Sequence, residues 1–600
     1  MKKFIFSLIV TFISATLLTG CIEEVLPTEY AAASQIGRSE AALQALSNST
    51  AALMVANDYF GTLSAQEIGY PGMMMIRDAL TDVPCASSSY NHFSTPWSTM
   101  SDFASARVQQ PWRYYYLMIL NANNTIIAVG DTEEAPARIQ SFVGNALVYR
   151  AMAYLDLMRM YEYQQTGVVA LDSEAERNKI YGLTVPIVDE LFDPANASNN
   201  PRAPFYVMYR FILNDLNRAE RYLEGSGRSS KIRADVSVAQ AYKARIWLEI
   251  ATRFQKYPND LAAQLANENN ADISYDKLGI NTARDAYEKA AHYARLVINN
   301  NQYSPLTYEQ WHNTINGFNT MSVPSWIFAA SLRGMENVSR VNSFASHAIT
   351  EYSRGYSRSQ YHAYRMIDRR LFEQIQQDDW RRATWKAPED FNGRPATGAA
   401  VPPIPAKYHT LFRDVPTVIV LGIGNWEWHH RDAYTGFKFR PGSGHIGEDF
   451  QTAGQMDFPI IRVEEMYFIE AEAKAYTGGL SDGMAALSSF LNTHRFRGGM
   501  FEAYPQDVDD FIDTYLIPQK RIEFWGEGLA FFDIKRRRIH ITRGYPGSNW
   551  IETNRFNSLP GYTASWLNFF IPDTRETDQN RGAIPNPNPS VMDSYGLWRE

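Results

Sequence analysis

The chain has 600 residues, a formal charge of −8 and only two cysteines, Cys21 and Cys85. That length can build one very large domain or several ordinary ones, held by an apolar core rather than by disulfide staples. The acidic balance argues against nucleic acid as the main partner.

The N-terminus opens on Lys2 and Lys3, followed by an apolar run from Phe4 to Leu18. The run is too short and wrongly flanked for a stable transmembrane helix and reads as the h-region of a secretory signal. Small residues lead into Cys21, and Leu18-Thr19-Gly20-Cys21 resembles the lipobox of bacterial lipoproteins. That resemblance implies a signal peptide over 1–20 and a mature chain that begins at a lipidated Cys21, whose several acyl chains meet the requirement for stable anchoring. Loss of Lys2 and Lys3 takes the formal charge to −10. Lipidated Cys21 leaves Cys85 without an intramolecular partner. Glu23 and Glu24 resemble the acidic signal of surface-exposed lipoproteins of Bacteroidetes. No later run of some twenty apolar residues exists, so nothing else is expected to span a membrane as a helix.

Downstream, helical periodicity recurs. Phe142, Ala146, Tyr149 or Arg150, Met152 or Ala153, and Leu157 fall near one face of a helix over Phe142–Tyr161. Helices are also expected over Phe205–Leu223, Val236–Thr252, Ala286–Ile298, Ile461–Tyr476 and Met484–Phe496, with another beginning within Phe511–Phe524. Paired helices on short turns suggest stacked hairpins of tetratricopeptide type, in a mostly α fold. Between them, 70–111 is rich in Ser, Pro and aromatic residues and reads as long loops. A second loop-rich insertion covers 387–457, with strand-like pieces at Thr417–Leu421 and Gly436–Arg440. The stretch after Gly544 lacks helical period. The chain is read as a single unit over 21–600, with an N-terminal helical half over 21–230 and a C-terminal half over 231–600. Trp112, Trp247 and Trp326 sit in regular runs and are expected in the core.

Catalytic signatures are weak. Gly442-Ser443-Gly444-His445-Ile446-Gly447 fits G-x-G-x-x-G, but no βαβ pattern surrounds it and it reads as a loop. Glu427, His429, His430 and Asp432 lack the helical spacing of a zinc motif and read as a wet loop cluster. No Walker loop or C-x-x-C occurs. Glu470 and Glu472 are two apart on a helix and face different ways, unlike an acid/base pair. Lys535-Arg536-Arg537-Arg538 reads as a helix end with a solvated face. No nucleophile, general base, metal site or cofactor is expected.

The stretch from Arg521 to Arg536, RIEFWGEGLAFFDIKR, resembles the C-terminal signature of the SusD/RagB family, roughly R-x-E-[LF]-x-x-E-G-x-R-[FWY]-x-D-[LI]-x-R. It departs at Ala530, where arginine is common. Further blocks are similar in the right order: Trp112 to Ile126, Gly144 to Ala151 with Val185-Pro186-Ile187, Arg202 to Ala219, and Pro459 to Ala473. Asn492, Arg495 and Arg497 follow, then Phe570-Ile571-Pro572 with Asn580. The polar motif residues read as structural, because a buried Arg462 or Arg521 is costly unless paired, with Glu470 or Glu527 as candidate partners.

The resemblance implies a SusD-like fold in which helical hairpins form a scaffold and loop insertions form a binding face. It implies non-catalytic capture of a glycan or other oligomeric nutrient by a lipid-anchored outer-membrane protein facing the cell exterior. It also implies a partner, a TonB-dependent transporter of SusC type. Sugars stack flat C–H faces on aromatic rings, and a few polar groups set their orientation. The chain has 13 Trp, 35 Tyr and 32 Phe, many of them in the expected loops. Trp97 is the first ligand-binding candidate, because it lies shortly before the Trp112 helix, where the family's glycan-binding loops often lie. Tyr90, Tyr361, Trp426 and Trp428 follow. Two alternatives are a lipid-anchored glycoside hydrolase, which needs two carboxylates about 5–10 Å apart in a cleft, and a periplasm-facing helical-repeat scaffold for outer-membrane assembly.

Overall fold

The computed structural model describes residues 39–56, 68–86, 106–313, 315–335, 344–349, 365–391, 432–440, 442, 454–572, 576–588 and 598. Its main helices are α1 (Glu40–Ala52), α2 (Tyr70–Ala79), α3 (Ala106–Val129), α4 (Ala137–Tyr161), α5 (Val169–Arg177), α6 (Phe205–Leu223) and α7 (Val236–Lys256). They continue with α8 (Pro258–Asn267), α9 (Ala283–Ile298), α10 (Val463–Thr477), α11 (Leu480–His494), α12 (Ile517–Glu523) and α13 (Ala530–Arg537). Strands β1 (Pro84–Ala86) and β3 (Arg365–Ile367) form one antiparallel pair, and β2 (Trp326–Ser331) and β4 (Asp457–Arg462) another.

The helices stack in a chain of neighbours: α3 on α4, α4 on α6, α6 on α7, α7 on α9, α9 on α10, and α10 on α11. Helices α6, α9 and α11 each bury a stripe, whereas α4, α7 and α10 are buried nearly all round by their neighbours. Local chemistry sets the starts. Asp235 caps α7 by accepting from the Val238 N–H, and Thr282 with Asp285 forms a reciprocal capping box at α9. One apolar cluster runs from α1 through the stack to Ala583, and a smaller one joins α10, α11 and the region around Phe511–Ile517. Trp112, Trp247 and Trp326 are in the core as expected. Among the described residues no helix is long and apolar enough to cross a membrane.

The expectation of loops across 70–111 is overturned at both ends. Tyr70–Ala79 is helix α2, and Ala106–Pro111 is the first part of α3. Every residue of α2 is buried. The helix is only ten residues long and carries the unbroken apolar run Met73–Ile76, which periodicity alone does not assign to a helix. The chain enters α2 through Gly69, at φ 69°, where a Cβ would lie 2.4 Å from the Met54 carbonyl oxygen. The late helix begun within Phe511–Phe524 is split: a π-helical stretch over Phe511–Leu516 precedes α12. Pro518 in the first turn of α12 has no N–H to donate backwards.

Candidate ligand-binding site

The signature from Arg521 to Arg536 folds into a buried ionic knot. Arg462 reaches Glu527 at 2.9 Å, Glu523 at 3.1 Å and Glu464 at 3.1 Å. Glu523 also receives Arg495 at 2.8 Å and Arg381 at 3.0 Å. Burial would raise the Glu523 carboxyl, but Arg495 and Arg462 prevail and hold it well below the usual carboxylate range. Lys438 donates to Glu527 and to the carbonyls of Glu523 and Trp525; burial takes its ammonium down to about 8 against the pull of Glu527. Arg521 faces Asp82 at 3.4 Å. Glu470 takes Arg295 of α9 and Lys474, whereas Glu472 takes Arg536, so the two carboxylates do face different ways. Of the pairings left open by the motif, Arg462 with Glu527 forms, whereas Arg521 pairs with Asp82 and Glu470 with Arg295 and Lys474; Arg381 and Lys438 were not foreseen, because nothing in their local sequence marks them.

The knot seats a strip of backbone over 432–440. Gly436 lies where a Cβ would come 2.5 Å from the Trp525 ring, and Gly526, at φ 78°, where one would come 2.7 Å from Phe439. Lys438 pins the strip from below. Its edges are hydrogen-bonded to both sides: Gly436 N–H to the Arg365 carbonyl at 3.0 Å, Ile367 N–H to the Tyr434 carbonyl at 3.0 Å, and Tyr434 N–H to the Lys386 carbonyl at 2.7 Å. Tyr434 itself holds φ 71°, an outlier for an aromatic residue.

Tyr90, Trp97, Tyr361, Trp426, Trp428 and Cys21 lie outside the described residues, as do Glu427, His429, His430 and most of Gly442–Gly447. Their attachment points do not. Ala86 and Arg365 are register partners at the end of the β1–β3 pair, so the segment carrying Tyr90 and Trp97 leaves the scaffold beside the one carrying Tyr361. The segment carrying Trp426 and Trp428 rejoins at Asp432, and Thr435 bridges Met366 of β3. Nearby, Gln455 reaches the Met335 carbonyl at 3.1 Å and Arg333 the Gly442 carbonyl at 3.1 Å, which brings together the roots of 336–343 and 443–453. Phe318 bridges Phe439, joining both groups of roots.

The basic run is not a solvated face. Lys535 donates to the carbonyls of Met160 and Glu162, Arg536 pairs with Glu472 and Asp533, and Arg537 with Asp509 and Asp513, all three buried. Opposite charges and carbonyls from the end of α4, from α10, from α13 itself and from the helical segment holding Asp509 and Asp513 make that burial tolerable. Among the described residues no group of three or more His, Cys, Asp or Glu could hold a metal ion.

Comparison with known proteins fits this architecture. Residues 64–248 match a family model described as starch-binding associating with outer membrane, and residues 434–594 match the SusD family model. The chain belongs to the SusD/RagB family. SusD-like protein P2 of Formosa agariphila is similar at 21% identity, over 98% of this chain and 99% of the relative. A crystal structure of a SusD-like carbohydrate binding protein from Bacteroides vulgatus aligns with TM-score 0.60 at 17% identity, covering 90% of this chain and 96% of its own. A SusD superfamily protein from Bacteroides thetaiotaomicron aligns with TM-score 0.58 at 18% identity, covering 91% and 99%. The mostly helical fold is that of the SusD superfamily.

Proposed function

We propose that this SusD-family chain captures a glycan without hydrolysing it, on a face built by its insertions. One observation carries the reading: the segments that hold Tyr90, Trp97, Tyr361, Trp426 and Trp428 are rooted side by side on β1, β3 and the 432–440 strip. Aromatic residues from separate segments with adjacent roots can meet over one ligand, and rings with a few polar groups are what a sugar requires. The printed descriptions of relatives as starch-binding and carbohydrate binding support the ligand class. The carboxylates of the polar core are held in ion pairs rather than facing each other across a cleft, which favours binding over glycoside hydrolysis.

In this reading Cys21 carries the lipid anchor, Glu23 and Glu24 direct the protein to the outer face of the outer membrane, and the bound glycan passes to a SusC-type TonB-dependent transporter. A glycan array with wild type and Trp97→Ala tests the site. A weakening of about tenfold is expected from the loss of one stacking ring, and unchanged binding removes Trp97 from the site. Product release from the bound polysaccharide would replace capture by hydrolysis. Protease shaving of intact cells tests orientation, and a protected chain would favour the periplasm-facing scaffold. Recovery of a large β-barrel with the purified lipoprotein is the expected sign of the transporter.

A further inference from the structure

A cleft of about 1000 Å³ opens on the helical half, between the loop after α4, α5, the start of α6, the end of α7, and α8. This volume is that of a ligand pocket. Tyr163, Tyr181, Tyr206, Tyr257 and Tyr562 line it. Tyr181 and Tyr562 are exposed, at 43% and 37%.

Most polar groups of its wall are already engaged. Asp172 accepts from the Tyr163 hydroxyl at 2.8 Å and from the N–H groups of Thr166 and Gly167 at 2.9 Å, which fastens the loop. Arg253 is held between Glu162 and Asp260, at 2.5 and 2.8 Å. Three groups are left over. Arg538, the last residue of the basic run, lies over the Tyr257 ring at 5.0 Å, and its buried Nε has no hydrogen-bond partner. The buried Tyr257 hydroxyl has none either. The half-buried Glu249 carboxylate makes no hydrogen bond or ion pair with the described residues, and burial pushes its pKa up against the pull of Arg159 and Arg536. Arg538 also holds φ 58°, a left-handed conformation that costs a non-glycine residue about 1 kcal/mol or more. Each buried polar atom without a partner costs about 1–3 kcal/mol, so the two here, Arg538 Nε and the Tyr257 hydroxyl, call for an occupant.

We propose that this cleft is a second saccharide-binding site, distinct from the insertion face and built on the scaffold itself. The leftover groups are a donor, an acceptor and a hydroxyl that does both, set among flat rings. An anion would meet Glu249 and Glu176 there, and a cation would meet Arg538. A neutral sugar ring, whose hydroxyls both donate and accept, satisfies the set without placing a charge against a like charge.

Hydrogen exchange read by mass spectrometry on the full chain tests the site, with maltohexaose, cellohexaose, laminarihexaose and mannohexaose as neutral probes and hexagalacturonate as the anionic one. At least one neutral hexasaccharide is expected to slow exchange in peptides covering 162–182 and 536–540. Tyr562→Ala and Arg538→Gln, checked for an unchanged melting temperature, are each expected to weaken that protection about tenfold, with Arg538→Lys recovering part of it. The proposal is overturned if no neutral probe protects these peptides, if hexagalacturonate alone does, or if both variants retain wild-type protection. Protection at 87–105, 350–364 and 392–431 reads the insertion face independently, so either site can fail without the other.

Discussion

Glu523 faces three guanidinium groups, those of Arg381, Arg462 and Arg495, and all four side chains are fully buried. Removing its charge leaves those cations under-compensated in a medium that solvates them poorly. Glu523→Gln is therefore expected to cost about 3–5 kcal/mol, read as a fall in the urea midpoint, and a loss below about 1 kcal/mol would mean that water enters the knot. Asp78 behaves oppositely. It accepts from the Gly528 N–H at 3.2 Å, yet burial outweighs Arg365 and raises its carboxyl to about 6. The folded chain thus holds a proton that the unfolded chain has lost between about pH 4 and 6, and stability falls as pH rises through that window. Relative to wild type, Asp78→Asn should gain stability from pH 4 to pH 7, as followed by melting temperature. A difference independent of pH would show that Asp78 is ionised throughout.

At the scale of elements, the turn between α12 and α13 docks on α2. Gly528 has φ 72°, and a Cβ there would stand 2.7 Å from the Met74 Cα. Its carbonyl accepts from Arg77 Nε at 3.0 Å. Gly225, just after α6, has φ 71° but no heavy atom within 4 Å of a Cβ. Gly225→Ala should cost only the left-handed conformation, about 1 kcal/mol, whereas Gly528→Ala should cost about 2 kcal/mol or more. Equal melting temperatures for the two variants would mean that α2 shifts freely. The same docking explains why α2 was illegible. Met73, Met74, Met75 and Ile76 are a plain apolar run in sequence, and only α13 and the neighbouring elements that cover them make a fully buried helix of it. Helix α6 was legible because it keeps a periodic face that the stack buries, and α4 and α7, though buried nearly all round, because they are long runs whose large apolar residues still recur at helical spacing.

At the scale of the molecule, the described ends of the 392–431 segment are tied to the scaffold. The strip at 432–440 is hydrogen-bonded to β3 and to 384–386, and Lys386 N–H reaches the Thr435 carbonyl at 2.9 Å. Replacing 392–431 by a short Gly-Ser linker should leave the melting temperature within a few degrees, because closing a shorter loop changes the entropy little. Glycan binding should weaken or vanish if Trp426 or Trp428 contacts the ligand. An insoluble or unfolded product would show that the segment belongs to the core.

The sequence by itself determined the helical stack and the family, since amphipathic period and the Arg521–Arg536 signature are local properties of the chain. It also marked Arg462 and Arg521 as needing acidic partners, because a buried charge demands one, but left the choice between Glu470 and Glu527 open. It did not determine that Lys535, Arg536 and Arg537 are buried, that Glu470 binds Arg295, or that three insertions share one root. Nor did it bring Tyr181, Glu249, Arg538 and Tyr562 to one cleft. Those outcomes depend on which distant segment supplies the opposing charge, carbonyl or ring, and only the tertiary structure makes that choice.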